Sequence, residues 1–430
     1  MIPPMIPVSS LLTKGDIVKP ESSEVISRRQ ILIAGTAITA TGLSGDALGF
    51  QQAESLTKPP TSVPNYETLG VSRVINATGN ITALGGSVMP PEVVAAWVEA
   101  SKHFVNIIEL HNKVGDRIAS LIGVEAAMVT TGAAGAMLLG AAACITVNDR
   151  SLIRQLPMAG EKNEIILQKS HHSGYDNQLT DVGARLVDVE TIADLERVAG
   201  QRTAMMFFMN VADLDGKISR RDWIEAARRM KIPTLLDASA DVPPLSRLSE
   251  YNEMGFDLVA ISGGKAMRGP NDTGLLLGRR DLIETAKLNT NPFAPTVGRM
   301  MKVGKEDMMA LLAAIERFAG MDHQAEWREM ERRISVIEKA VNSISTVVCE
   351  RIIPPISNHQ PHLIISWDEK LMKLSKEEVA AELLKSDPSI QTGRVGGTGN
   401  KGVLISVHAL LDNEEAIVAD RLRQILSTSR

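Results

Sequence analysis

From Tyr66 onward, short apolar runs of strand length alternate with segments whose apolar residues recur every three or four positions. The spacing predicts strands over residues 127–130, 164–168, 185–189, 203–209, 234–238, 258–261 and 273–277, and helices over 91–103, 107–122, 133–144, 222–230 and 280–288. Strands and helices taking turns put helices on the faces of the sheet, so the expected fold is α/β with a mainly parallel seven-stranded sheet. After Pro295 the pattern changes. An amphipathic stretch over 303–345 reads as a helix, continuous or interrupted. It leads to strand candidates at 362–366, 390–394 and 403–407 and helices at 376–384 and 412–426. The expected division is a large domain over 66–298, then a connecting helix and a small C-terminal α+β domain over 299–430.

The first residues follow another pattern. Ser27-Arg28-Arg29-Gln30-Ile31-Leu32 sets an arginine pair directly before a run of small and apolar residues over 31–50, the layout of a twin-arginine export signal. The run is rich in Gly, Ala and Thr and contains Asp46, a poor match to the roughly 20 strongly apolar residues of a permanent membrane span. Residues 1–50 are read as the signal, with Ala47-Leu48-Gly49 offering small residues for cleavage, and 51–65 as a polar, Pro-containing linker. The expected location is periplasmic, with a cytoplasmic protein carrying a disordered tail or an uncleaved anchor as the alternative.

Composition removes several classes of function. At 430 residues the chain is long enough for two or three structural units, and 44% hydrophobic with 23% charged residues is the balance of a soluble globular enzyme. A formal net charge of −5 supplies no global field that would draw the protein to phosphate backbones, so no nucleic-acid partner is expected. Cys144 and Cys349 stand far apart, which excludes a disulfide scaffold and a structural zinc of clustered thiolates.

Three places carry chemistry. Thr234-Leu235-Leu236-Asp237 ends an apolar strand on an acid, at the carboxyl edge where open α/β sheets bind ligands. Ile261-Ser262-Gly263-Gly264-Lys265 ends another strand with a lysine in a Gly-rich turn. A lysine amine can condense with an aldehyde cofactor, and a buried carboxylate can keep a pyridine nitrogen protonated. Singly, each has an ordinary reading: Asp237 caps the next segment and Lys265 is a solvated loop charge. The third place is Val129-Thr130-Thr131-Gly132-Ala133-Ala134-Gly135, a strand running into a helix whose N-terminus no large side chain blocks, which suits a phosphate.

The ordered set of Thr131-Gly132-Ala133-Ala134, Asp237, and Ser262-Gly263-Gly264-Lys265 with Gly269-Pro270 resembles fold-type I pyridoxal-phosphate enzymes. Val74-Ile75-Asn76-Ala77-Thr78-Gly79, Val303-Gly304-Lys305-Glu306 and Gly393-Arg394-Val395 are similar to the bacterial selenocysteine synthase family (L-seryl-tRNA(Sec) selenium transferase) and its relative D-glucosaminate-6-phosphate ammonia-lyase. The resemblance covers roughly Tyr66 to the C-terminus. It implies the fold-type I transferase fold and pyridoxal 5′-phosphate as cofactor. Lys265 would be the Schiff-base lysine and proton shuttle, and Asp237 the partner of the pyridine nitrogen. Gly132, Ala133 and Ser262 would hold the phosphate, and His171 would stack on the ring, with His172 the alternative. Arg394 would pair with a substrate carboxylate. A metal site from His171, His172 and Asp176 lacks a further well-spaced ligand.

The chain departs from the selenium transferases in three respects. Leu84-Gly85-Gly86-Ser87 has glycine where their pattern carries the arginine of a Leu-Gly-Arg arrangement, residues 1–65 read as signal and linker instead of a tRNA-gripping domain, and an exported protein would not meet tRNA. The expected substrate is a small amino acid or amino-sugar acid, and the expected reaction is α-proton abstraction with β-elimination. The same residues would serve a selenium transferase, a racemase or an aldolase, or persist in an inactive binding relative. A homodimer or higher homo-oligomer is expected.

Overall fold

The computed structural model describes residues 63–158, 160–393 and 402–428. The export motif and Arg394 lie outside the described residues. Contacts divide the chain after Pro64, and everything below concerns the unit that begins at Asn65.

The strands are β1 (Val74–Ala77), β2 (Ala126–Thr131), β3 (Glu164–Gln168), β4 (Arg185–Val189), β5 (Thr203–Met209), β6 (Thr234–Asp237), β7 (Leu258–Ser262), β8 (Thr273–Gly278), β9 (Val348–Ile352), β10 (His362–Ser366), β11 (Ser389–Thr392) and β12 (Val403–Ser406). Seven form one sheet in the order β2-β8-β7-β6-β5-β3-β4. All its pairings are parallel except those of β8, which runs antiparallel to both β7 and β2. The mainly parallel seven-stranded sheet read from the sequence is therefore the one observed.

Both faces are covered, and side chains alternate between them with the two-residue period of a strand. Ile165, Phe207, Leu235, Leu258 and Leu276 enter one core, while Ile166, Phe208, Leu236, Val259 and Leu275 enter the other. The first core holds the helix Gly132–Thr146, which is apolar nearly all round and almost wholly buried. The second is closed by amphipathic helices Ile107–Ile122 and Arg220–Met230, whose Trp223 is fully buried.

The 303–345 stretch is interrupted. Helix Lys305–Gly320 ends and helix His323–Val341 begins at Asp322, whose carboxylate caps the new helix by accepting the N–H groups of Gln324 (3.0 Å) and Ala325 (2.9 Å). Beyond it, β12-β10-β9 form an antiparallel sheet. β1 reaches over from the start of the unit to pair in parallel with β11, and buries Ile75 and Ala77 in the same C-terminal core as Ile337, Leu363 and Leu422. Among the described residues no helix is long and apolar enough to cross a membrane.

Trp223→Ala removes the largest fully buried side chain of the second core and is expected to cost about 3–5 kcal/mol. Denaturant unfolding followed by circular dichroism checks this, and a cost below about 1 kcal/mol would show that this face of the sheet is loosely packed.

Candidate active site

β2, β3, β5, β6 and β7 all run in one direction, so their carboxyl ends meet along one edge of the sheet. Asp237 ends β6 and is almost completely buried. Its Oδ1 accepts the Ser239 N–H at 2.9 Å. Burial pushes the carboxyl pKa up, and the Ser239 hydrogen bonds and the charge of Lys265 oppose this only in part. Lys265 follows β7, the next strand, and its pKa is lowered by burial, against the opposing pull of Asp237 and Asp241. Among the described residues its Nζ makes no hydrogen bond or ion pair. The two residues singled out separately in the sequence thus share one electrostatic environment.

The turn that carries Lys265 is tightly built. Gly263 N–H donates to the Thr273 carbonyl at 2.8 Å, Gly269 N–H to the Gly263 carbonyl at 3.0 Å, and Arg268 N–H to the Lys265 carbonyl at 2.9 Å. On the other side, β2 delivers Gly132 and Ala133 to the same edge. Thr131 gives the helix Gly132–Thr146 no side-chain cap, and its hydroxyl is instead turned toward the Met301 carbonyl, 3.5 Å away. The N–H groups of the first turn are left for an outside acceptor. Ser262 joins this group through register: it pairs with Gly274 of β8, which lies between β7 and β2. A Cβ on Gly274 would stand 2.3 Å from the Gly132 carbonyl carbon and 2.7 Å from the Ala133 nitrogen, so only glycine lets the strands bring these groups together.

At the end of β3 the two histidines part. His171 is fully buried and turned toward β5, where its Nδ1 accepts the Met209 N–H at 3.2 Å and its ring meets Phe208 edge-on at 4.4 Å. The residue pairing with Asp237 across the sheet is this same Met209. A protonated Nδ1 could not accept from Met209, and burial depresses the His171 pKa to about 4, so the ring is neutral at pH 7. His172 turns the other way, toward β4, with Nδ1 2.5 Å from Asp176 Oδ2 and Nε2 2.8 Å from Asp188 Oδ1. The geometry thus puts His171, and not His172, on the Asp237 side. Among the described residues no three His, Cys, Asp or Glu side chains are grouped to hold a metal.

Sequence reading passed over Asp241. It is buried one short loop after Asp237 and accepts hydrogen bonds from Asn210 Nδ2, from the Tyr251 hydroxyl at 2.7 Å and from the Ser357 hydroxyl at 2.6 Å. Asn358 N–H donates to the Ala240 carbonyl at 2.7 Å, so this loop is fastened to the segment ahead of β10. The partners come from three separate places in the chain, and no local pattern marks them.

Residues 97–343 match the family model described as aminotransferase class-V. The chain belongs to that family. Its cofactor is pyridoxal 5′-phosphate, and the class-V fold is the fold-type I α/β architecture expected from the sequence. D-glucosaminate-6-phosphate ammonia lyase of Salmonella typhimurium (strain 14028s / SGSC 2262) is 27% identical over 376 residues, covering 84% of this chain and 98% of that protein. A solved structure of D-glucosaminate-6-phosphate ammonia-lyase superposes with a TM-score of 0.72 at 25% identity, covering 86% of this chain and all of the other. L-seryl-tRNA(Sec) selenium transferase of Moorella thermoacetica is 26% identical over 286 residues, which cover 58% of this chain and 56% of the transferase.

The residues fit the class-V cofactor. The uncapped helix start at Gly132 and Ala133, at the edge to which register through Gly274 also brings Ser262, suits a phosphate. Among the described residues Lys265 is an amine without a hydrogen-bond or ion-pair partner, its pKa lowered by burial, which suits condensation with an aldehyde. Asp237 is a buried carboxylate with no ion pair among the described residues and only the partial opposing charge of Lys265, and a protonated ring nitrogen would supply the missing cation.

Gly274→Ala is expected to weaken cofactor binding at least tenfold by forcing β8 away from Gly132, an effect read from absorbance titration of the apoprotein. Unaltered affinity would show that the cradle does not depend on this approach. A second expectation concerns pH. The unfolded chain protonates His171 near 6.5 and the folded one only near 4, so the unfolded state binds more protons between these values. This contribution to stability is complete above pH 6.5 and is lost as pH falls toward 4. His111, depressed to about 4 by burial, acts in the same direction. Melting temperature measured from pH 7.5 to 4.5 should fall, and His171→Gln should flatten the slope; an identical slope would remove His171 from the account.

Proposed function

We propose that this chain is a pyridoxal-phosphate-dependent lyase that takes a small amino acid or amino-sugar acid, removes its α-proton and expels a β-substituent, as in an ammonia-lyase. The observation that carries the reading is the placement of a partly buried Lys265, which has no hydrogen bond or ion pair among the described residues, in the electrostatic reach of the buried Asp237 at the carboxyl edge of the sheet. The similarity to D-glucosaminate-6-phosphate ammonia lyase along nearly that protein's whole length supports the reaction type.

When bound, pyridoxal phosphate supplies an electron sink for the pair left at the α-carbon. The rest falls to the chain. Gly132, Ala133 and Ser262 would hold the phosphate. Asp237, kept from water, would hold the proton of the ring nitrogen, while His171, expected from the resemblance to stack on the ring, is fully buried against Phe208 and Met209 and backs the strand beside Asp237 as a neutral group that adds no competing charge. Lys265, as a free amine, would take the α-proton at its Nζ, and the lowering of its pKa by burial favours the basic form. With a β-hydroxyl as leaving group, water departs at the β-carbon and returns at the α-carbon as ammonia is lost, so the net change is amino compound to keto acid plus ammonia. In this reading Arg394 pairs with the substrate carboxylate and the 1–50 segment directs export. A homodimer is supported by the apolar side chains of Val94, Trp97, Val98 and Phe104, all left exposed around the helix Pro91–Ser101.

The selenium-transferase reading is disfavoured at Gly86. A Cβ there would lie 2.1 Å from Asn271 Oδ1 and 2.9 Å from the Gly264 carbonyl, and φ is +77°, so the arginine of the transferase pattern cannot be accommodated with this packing.

The test is the absorbance spectrum of purified protein, wild type and Lys265→Ala, with a panel of D- and L-amino acids, D-glucosaminate and D-glucosaminate 6-phosphate. The wild type should be yellow, respond spectrally to one group of compounds and release ammonia; Lys265→Ala should lose the wild-type band and turnover, and Asp237→Ala should lose at least about 100-fold in rate. A wild type that stays colourless after reconstitution would reduce the protein to a binding relative on an enzyme fold.

A further inference from the structure

Arg268 stands three residues after Lys265 with φ +61°, in the left-handed region that non-glycine residues enter at a cost. The turn holds it there: its own N–H is bonded to the Lys265 carbonyl, and Gly269 is bonded back to Gly263. Its side chain is partly buried, and among the described residues its one side-chain hydrogen bond runs from Nε to the Val88 carbonyl at 2.8 Å. Among the described residues neither terminal nitrogen has an acceptor and no carboxylate forms an ion pair with it. The arginines nearest in charge are already neutralised, Arg317 by Glu92 at 2.8 Å and Arg333 by Glu329 at 2.9 Å, while Glu326 stays beyond ion-pair distance of Arg268. A half-desolvated guanidinium that spends only Nε on the protein keeps a two-nitrogen edge for a planar or tetrahedral oxyanion.

The location gives this edge its meaning. The Gly85-Gly86-Ser87-Val88 segment packs on the lysine turn, with Ser87 Oγ donating to the Gly264 carbonyl at 3.0 Å and Gly86 pressed against Asn271. This is the segment in which the sequence puts glycine where the selenium transferases carry a cation. Here the cation arrives from the other partner of the same contact: the lysine turn reaches back, through Arg268, to Val88.

Resting on the lyase reading above, we propose that Arg268 is a substrate-recognition residue that receives an anionic group of the substrate, a carboxylate or a phosphate, through its two terminal nitrogens. It acts from the loop that carries the Schiff-base lysine, so that the position of the anion and of the reacting carbon are set by one rigid turn. The strained φ is the cost of aiming the side chain over the Gly86 segment instead of into solvent.

The experiment uses the holoenzyme and whichever panel compound the wild type converts, with Arg268→Ala and Arg268→Lys. Cofactor absorbance and melting temperature establish that each variant is folded and loaded. Arg268→Ala should raise KM about 10- to 100-fold, the range for a lost charge-assisted hydrogen-bond pair, while Arg268→Lys recovers part of it. Inorganic phosphate and acetate serve as competing probes. Competition by phosphate alone that Arg268→Ala abolishes assigns a phosphate, and competition by acetate assigns a carboxylate. A KM unchanged in Arg268→Ala overturns the proposal, as does a loss of cofactor and thermal stability in both variants with KM per loaded site unchanged, which would make Arg268 a structural peg for the turn. If the wild type is loaded with cofactor but converts none of the panel, the choice of reaction fails and this inference with it; if the wild type takes up no cofactor, the enzyme reading itself is what has failed.

Discussion

Withdrawal of Asp237 and Lys265 from water at the same sheet edge is the constraint around which the rest is arranged. Burial alone disfavours both charges, raising the pKa of the acid and lowering that of the amine, and each is the other's partial remedy. Such a pair is costly to hold in a fold unless something further is to be bound there. The strands that carry it are buried on both faces, so the edge is rigid, and the mutual placement of β6 and β7 is set by cores that have nothing to do with chemistry.

Close approach of backbone does as much as side chains. β8 runs against the direction of its neighbours and separates β7 from β2, and Gly132 comes close to it because Gly274, which pairs with Ser262, has no Cβ. The same economy of space recurs where Gly86 meets the lysine turn. Both contacts concentrate this edge on backbone groups and loop geometry.

The C-terminal portion is tied to this edge by polar contacts. Asp241 gathers donors from Asn210, Tyr251 and Ser357, and β1 carries the Asn76–Gly79 turn into the C-terminal core by pairing with β11. A buried carboxylate with three donors is well satisfied and resists rearrangement, so the loop after Asp237 is held from two sides.

Much of the architecture was legible in the chain itself, because strands of four to seven apolar residues between amphipathic helices admit few arrangements. The bounds of β3, β4 and β5 fall where the pattern predicts, and Asp237, Lys265 and Gly132 announce themselves by standing at strand ends. β9 was missed because its side chains are mostly exposed and it shows no apolar alternation, and the short helices such as Arg247–Met254 are too brief for a period to register. Tertiary structure alone decided what depends on neighbours distant in sequence: that His171 and His172, adjacent in the chain, turn to opposite strands, that β1 belongs with β11, that Asp241 finds its donors, and that Arg268 has no ion-pair partner among the described residues. Periodicity reports which face of an element is buried, whereas the partner of a polar group is set by packing across the fold.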